Sequence, residues 1–286
     1  MSNRTPRLTD QDVVRRARAC LQAHLPLQAD GYVWTTADLF NVVLGVAVNR
    51  GTIEAICADL VGSPDPETIR RYLNAQLQVD DLPALEYHVN AALADELPAR
   101  VWARAHDVAI DFDDRPYYGT MPQSAGLWVR GQAKDGTTRF YRVATAYVML
   151  HHLRVTLASH FVQPEDDGVS VLDTLLQRLD SLAVRARRLF LDQGFAGSAV
   201  IAYLTRRQQP AVIACPIRGK TGGTRALGRG TRSYRTSSTF TGQDQPPVQA
   251  ELAVCRVLTT AKRTNRLQRR ATWLLFILIH LELTPR

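Results

Sequence analysis

Two aspartates stand out for their placement. Asp111 follows the apolar run Val108-Ala109-Ile110, and Asp192 follows Leu189-Phe190-Leu191. A carboxylate at the C-terminal end of a buried strand lies on the edge of an open α/β sheet where sites assemble. Two such carboxylates on neighbouring strands can hold Mg²⁺ or Mn²⁺, because hard oxygen ligands suit these cations. Ions held this way activate a water or a hydroxyl and stabilise the leaving oxygen of a phosphoryl transfer. Strands also end in Asp simply because Asp favours turns. The pair, rather than either residue alone, points to chemistry.

The other reactive side chains form no comparable pattern. His151, His152 and His160 match no zinc-ligand spacing and read as bend and strand-surface residues. Cys20, Cys57, Cys215 and Cys255 are scattered without a C-x-x-C pair. That argues against a zinc finger or a disulfide framework and fits a reducing cytoplasm. Tyr117, Tyr118 and Trp128 are of the type that stacks on exposed bases, and equally of the type that packs against a sheet.

Charge supplies the next constraint. The 286 residues carry a net +8, unevenly spread. Residues 1–100 hold 9 arginines against 13 acids, and residues 101–200 are balanced at 11 of each. Residues 201–286 hold 15 basic residues against 3 acids. A basic C-terminal third is the footprint of a polyanion-binding surface, most simply one for double-stranded DNA. Candidate contacts are Arg218, Lys220, Arg225, Arg229, Arg232, Lys262, Arg263 and Arg266. Arginine's planar fork suits phosphate, though a GC-rich genome also favours arginine. The longest apolar run, Trp273 to Ile279, is too short to cross a membrane. The N-terminus shows no apolar core of a signal peptide. No membrane association is expected.

These residues need elements to hold them. Residues 1–100 read as a helical domain, with helices from Thr9/Asp10, over Thr36–Val48, from Thr52 to Leu60, from Asp65/Pro66 to Leu77, and over Leu82–Leu97. Two short helices around Gly62-Ser63-Pro64, the second carrying Arg70 and Arg71, are compatible with a DNA-binding helix-turn-helix and with an ordinary helical bundle. From residue 101 the period shortens. Strands are expected at Val108–Phe112, Arg139–Leu150 and Leu153–Leu157, with turns at Asp135-Gly136 and His151-His152. Leu172, Leu175, Leu176, Leu179 and Leu182 mark an amphipathic helix. A strand at Arg188–Asp192, a helix at Gly197–Arg206 and a strand at Ala211–Cys215 follow. Residues 217–270 read as a basic, turn-rich insertion with short strands at Ser238–Thr241 and Leu252–Leu258. Residues 271–286 hold a last buried strand. The order predicts an α/β mixed sheet.

Two motifs carry a family resemblance. Ile110-Asp111-Phe112-Asp113-Asp114-Arg115-Pro116-Tyr117-Tyr118-Gly119 resembles the first-aspartate motif of DDE-type insertion-sequence transposases, in the ISH-like branch of the insertion-sequence-four superfamily. Leu189-Phe190-Leu191-Asp192-Gln193-Gly194-Phe195 resembles their second motif. Gln193 replaces the usual Arg, and Asp113 replaces a frequent His. The resemblance implies a ribonuclease H-like catalytic core with a β-rich insertion. It also implies Mg²⁺ or Mn²⁺ held by Asp111 and Asp192, and phosphodiester cleavage and strand transfer at insertion-sequence ends. The implied partner is double-stranded DNA, both transposon ends and target, and the implied location is the nucleoid of a bacterial or archaeal cell. It admits a homodimer. The family's final helix carries Tyr-x₂-Arg-x₃-Glu-x₆-Lys, whose Glu completes the metal site. No Tyr in this sequence begins that pattern, and neither Glu251 nor Glu282 has its spacing. The expectation is therefore a chain that stops before the catalytic helix and performs little or no strand transfer. The alternative is a non-catalytic DNA-binding remnant that occupies element ends or interferes with a full-length enzyme.

Overall fold

The computed structural model describes residues 8–29, 31, 33–119, 127–242, 245–263 and 266–282. The chain divides into two compact units, residues 1–96 and 97–286.

The first unit is helical. It comprises α1 (Asp10–His24), α2 (Thr36–Asn49), α3 (Ile53–Asp59), α4 (Pro66–Gln76) and α5 (Leu82–Asp95). The starts are fixed by side chains that satisfy the free N–H groups of the first turn. Thr9 and Asp12 form a reciprocal capping box on α1, and Thr35 and Asp38 repeat it on α2. Thr52 caps α3, and Asp65 caps α4 just before a proline. Leu39, Phe40, Val42, Ile56 and Ile69 form the buried core. In α4, Arg70 is ion-paired with both Glu54 and Glu67. One of the two arginines on the proposed recognition helix is thus neutralised from within its own unit.

The second unit is built on one mixed sheet. Its strands are β1 (His106–Pro116), β2 (Val129–Lys134), β3 (Thr137–Leu150), β4 (Leu153–Val162), β5 (Ala186–Leu191), β6 (Ala211–Cys215), β7 (Tyr234–Gly242), β8 (Gln245–Arg263) and β9 (Arg266–Ile279). The order is β2-β3-β1-β5-β6-β9-β8-β7, with β4 also paired to β3. β1 is antiparallel to β3 and parallel to β5, and β5 is parallel to β6. The run β4-β3-β1-β5-β6 is three antiparallel strands continued by two parallel ones. Two helices, α6 (Gly168–Ser181) and α7 (Ser198–Arg206), supply the crossovers between the last strands. Leu172, Leu175, Leu176 and Leu179 of α6 are all buried in the main core, with Val200, Ile201 and Leu204 of α7. Burying each leucine contributes about 1.5–3 kcal/mol.

Several strands differ in extent from the sequence expectation. β1 continues to Pro116, because β3 offers partners as far as Phe140. Asp111 therefore lies inside β1, although the β1–β5 ladder ends beside it at Ile110 and Leu191. β4 runs through His160 to Val162. β2, which pairs with the start of β3, carries no strand pattern of its own in the sequence. Strands β7 to β9 are long and join the same sheet, since β9 pairs with both β6 and β8. β9 crosses residue 270 unbroken, so 217–270 and the last strand are one continuous extension of the core. The turns fall where expected. Asp135 and Gly136 take φ of 52° and 79°, and His151 and His152 take 48° and 72°. Both pairs have the left-handed geometry that matches the twist of a two-residue hairpin.

Candidate active site at the β1–β5 edge

Parallel pairing of β1 and β5 sets the site. Ile110 lies opposite Leu191, so Asp111 and Asp192 are each the next residue on adjacent strands. Asp192 ends β5 and opens a single 3₁₀ turn, Gln193–Phe195. Its Oδ1 accepts the Gly194 N–H at 2.7 Å. A Cβ on Gly194 would come within 3.0 Å of that oxygen and 3.1 Å of the Phe112 ring, so glycine keeps the turn close. Phe112 stacks on Phe195 with ring centres 4.6 Å apart and planes at 11°. This apolar stack holds the turn against β1.

Burial pushes the Asp192 carboxyl above its ordinary range, and the negative charges of Asp111 and Asp114 add to the effect. The Gly194 N–H and the Arg142 guanidinium pull the other way. The two predicted aspartates follow paired residues on adjacent strands, near enough for their charges to interact. Two carboxylates that repel each other and lack a full set of hydrogen-bond donors suit a divalent cation. Mg²⁺ in particular binds through one or two carboxylates, with waters or substrate phosphates completing its shell. The residues present therefore fit such an ion. Among the described residues, no group of three or more His, Cys, Asp or Glu is placed to hold a metal.

A cavity of about 810 Å³ opens beside Asp192. Its charged lining comprises Asp114, Asp166, Asp167 and Asp192 against Lys134, Arg142 and Arg218. Asp111 does not line it. Alternation along β1 places Asp111 on the face opposite Ile110 and Phe112, where its cross-strand partner is Thr145. The Thr145 hydroxyl there accepts a hydrogen bond from Arg154 at 2.8 Å.

The basic candidates divide. Arg218, Lys220, Arg225, Arg229 and Arg232 are all exposed, and Arg218 reaches the cavity. Arg225 donates from Nε to the Gly219 carbonyl at 2.6 Å, so it also closes its own loop. Lys262, Arg263 and Arg266 stand in β8 and β9 near the tip of their hairpin, and their side chains lie outside the described residues. Tyr117 meets Tyr141 edge-on at 5.1 Å, and the Arg139 guanidinium lies 5.2 Å from the centre of the Trp128 ring. Tyr118 donates to the Asp135 carbonyl at 2.7 Å while remaining exposed. His160 is not a surface residue. Its side chain is largely buried and lies 2.9 Å from Asp166.

Sequence reasoning missed Arg142. It lies on β3 directly opposite Asp114 on β1. The two form a bidentate pair, Nε to Oδ1 at 2.6 Å and Nη2 to Oδ2 at 2.9 Å. The signal was a single arginine inside the strand-like Phe140-Tyr141-Arg142-Val143-Ala144. Pairing it with Asp114 required the β1–β3 register, which spacing alone does not provide.

No protein-family model matches the chain, and no curated protein matches it. Among solved structures, the piggyBac transposase synaptic complex with hairpin DNA aligns at 13% identity and a TM-score of 0.43. The alignment covers 99% of this chain and 55% of that one, so the chain spans about half the length of that transposase.

Proposed function

We propose that this chain is a transposase of the DDE type, of the ISH-like branch of the insertion-sequence-four superfamily, acting on phosphodiesters at the ends of an insertion sequence. The observation that carries the reading is the juxtaposition of Asp111 and Asp192 at the end of the β1–β5 ladder, on strands ordered as in a ribonuclease H-like core. Asp111 and Asp192 would hold Mg²⁺ or Mn²⁺. When bound, the ion would supply Lewis-acid stabilisation of the developing oxyanion and a more acidic nucleophile. The residues of the chain itself place the two carboxylates on neighbouring strands, hold the Asp192 turn against β1 through the Phe112–Phe195 stack, and line a cavity beside Asp192 with Lys134, Arg142 and Arg218 to receive backbone phosphates. The exposed arginines of the 218–232 loop extend that surface along the duplex. Affinity would fall steeply with salt as counterions released by DNA are restored.

With Asp111 and Asp192 as the proposed ligands and no group of three among the described residues, the expected activity is slow Mg²⁺-dependent nicking of element-end DNA, with little or no strand transfer. The test incubates purified chain with duplexes carrying the flanking inverted repeats. Asp111→Asn and Asp192→Asn should each remove the nicking while leaving DNA binding intact. Nicking that persists in Asp111→Asn sinks the assignment. The absence of a third acidic ligand among the described residues also favours a second reading, a non-catalytic DNA-binding remnant. Tight end binding with no nicking by the wild-type chain would select it.

A further inference from the structure

We infer that Arg142 is the guanidinium that receives a DNA phosphate beside Asp192, and that Asp114 is the latch that holds it in place until the phosphate arrives. The inference rests on the reading of this edge as a phosphodiester site. Its geometry is specific. Arg142 and Asp114 face each other across the β1–β3 ladder, and both side chains are about three-quarters buried, at 24% and 29% exposure. Both line the cavity that also holds Asp192 and Arg218. The guanidinium lies 5.1 Å from the centre of the Phe112 ring, the ring that stacks on Phe195 beneath the Asp192 turn. Arginine on an aromatic face keeps a fixed plane. Only Nε and Nη2 are used on Asp114, and among the described residues Nη1 has no hydrogen-bond acceptor.

The local charge explains why a latch is useful. Four carboxylates and three cations line the cavity, so an incoming phosphodiester meets a surface that is negative on balance. Lys134 lies on β2 and Arg218 in the loop after β6, whereas Arg142 lies on β3 near enough for its charge to act on Asp192. A phosphate oxygen and the Asp114 carboxylate are equivalent partners for the same fork. Exchange of one for the other retains Arg142's charge-assisted hydrogen bonds. It leaves Asp114 to find water at the cavity mouth. The latch holds the guanidinium in a ready orientation and keeps it from pairing with Asp192.

The test uses the full chain, a mixed-sequence duplex of about 40 base pairs and fluorescence anisotropy across a salt series, with the melting temperature of every variant recorded. Arg142→Gln should weaken binding by about fivefold to tenfold and reduce the salt slope by about one. Asp114→Asn, which keeps the size of the side chain but removes the competing charge, should tighten binding by about threefold or more. Opposite signs for the two partners are the diagnostic. A purely structural ion pair gives two variants of lower melting temperature and equal, unchanged affinity, and that result overturns the inference. Should Arg142→Gln fail to fold, Asp114→Asn alone decides, since weaker or unchanged binding has the same consequence. These outcomes leave the nicking assay with Asp111→Asn untouched, so the two readings can fail separately. A wild-type chain that binds no duplex overturns both.

Discussion

At the scale of single residues, the site gives up stability for its arrangement. Asp192 is held half-buried near Asp111 and Asp114, and its carboxyl is raised above the ordinary 3.8 by burial first and by those charges second. An acid whose folded pKa exceeds its unfolded value makes the fold less stable as pH rises through the interval between them. Asp192→Asn keeps the oxygen that accepts the Gly194 N–H and removes the charge. It should therefore melt a few degrees higher than wild type at pH 7, with the advantage fading as the pH approaches 4. Mg²⁺ should narrow the difference at pH 7 by stabilising only the wild type. Thermal melts at two pH values with and without the ion measure this, and a lower melting point for the variant at pH 7 refutes it. The two aspartates were legible in the sequence because each closes an apolar run. Their neighbours Asp114 and Arg142 were not, because their significance comes from a cross-strand pairing 28 residues apart.

At the scale of elements, the short crossovers and their helices were readable, and strand lengths were not. Ala211–Cys215 and the leucine stripe of α6 stand where their patterns put them, since the first is a continuous apolar run buried on both faces and the second buries one face at helical spacing. Asp113-Asp114-Arg115 lies beyond the expected strand yet forms strand, because Val143, Arg142 and Tyr141 of β3 lie opposite and supply the ladder. A strand's length is set by its partner as much as by its own residues. The same holds for β8 and β9, which extend each other far beyond their apolar segments. The loop from β4 into α6 is organised by Asp166, which accepts from the Gln163 N–H at 2.8 Å and from Ser170 Oγ at 2.9 Å and contacts His160. Burial works against its charge, but these donors outweigh it and hold the carboxyl below 3.8. A depressed acid contributes stability above its unfolded pKa and loses it as pH falls through the folded value. Asp166→Asn should cost about 1.5–3 kcal/mol near neutral pH, the range for hydrogen bonds to a charged group. The difference from wild type should shrink as the pH falls below the ordinary 3.8 on the same linkage argument. Denaturant melts at pH 7, 5 and 3 follow it, and a cost that does not change with pH contradicts the assignment.

At the scale of the whole molecule, the two units have separate cores. Phe40, Leu39 and Ile69 belong to one, and Leu175, Ile201 and Leu189 to the other, with no buried residue shared among the described residues. Cooperative unfolding requires that melting one part expose surface the other part needs. Cores that share no side chain give no such penalty, so each unit should unfold in its own transition. The net charge divides in the same sense, since residues 1–100 hold 9 basic against 13 acidic residues and residues 201–286 hold 15 against 3. DNA should then bind the second unit and raise its transition selectively, because a ligand stabilises only the unit it contacts. Calorimetry of the full chain should show two transitions. Phe40→Ala should lower only one of them, and Leu175→Ala only the other, each by about 2–5 kcal/mol of unit stability. Added duplex DNA should raise the transition that Leu175→Ala lowers. If DNA instead raises the transition that Phe40→Ala lowers, DNA is held by the helical unit despite its acidic balance and its neutralised Arg70. A single transition that both variants lower equally would show that the units are energetically coupled, and the separate-core argument would fall.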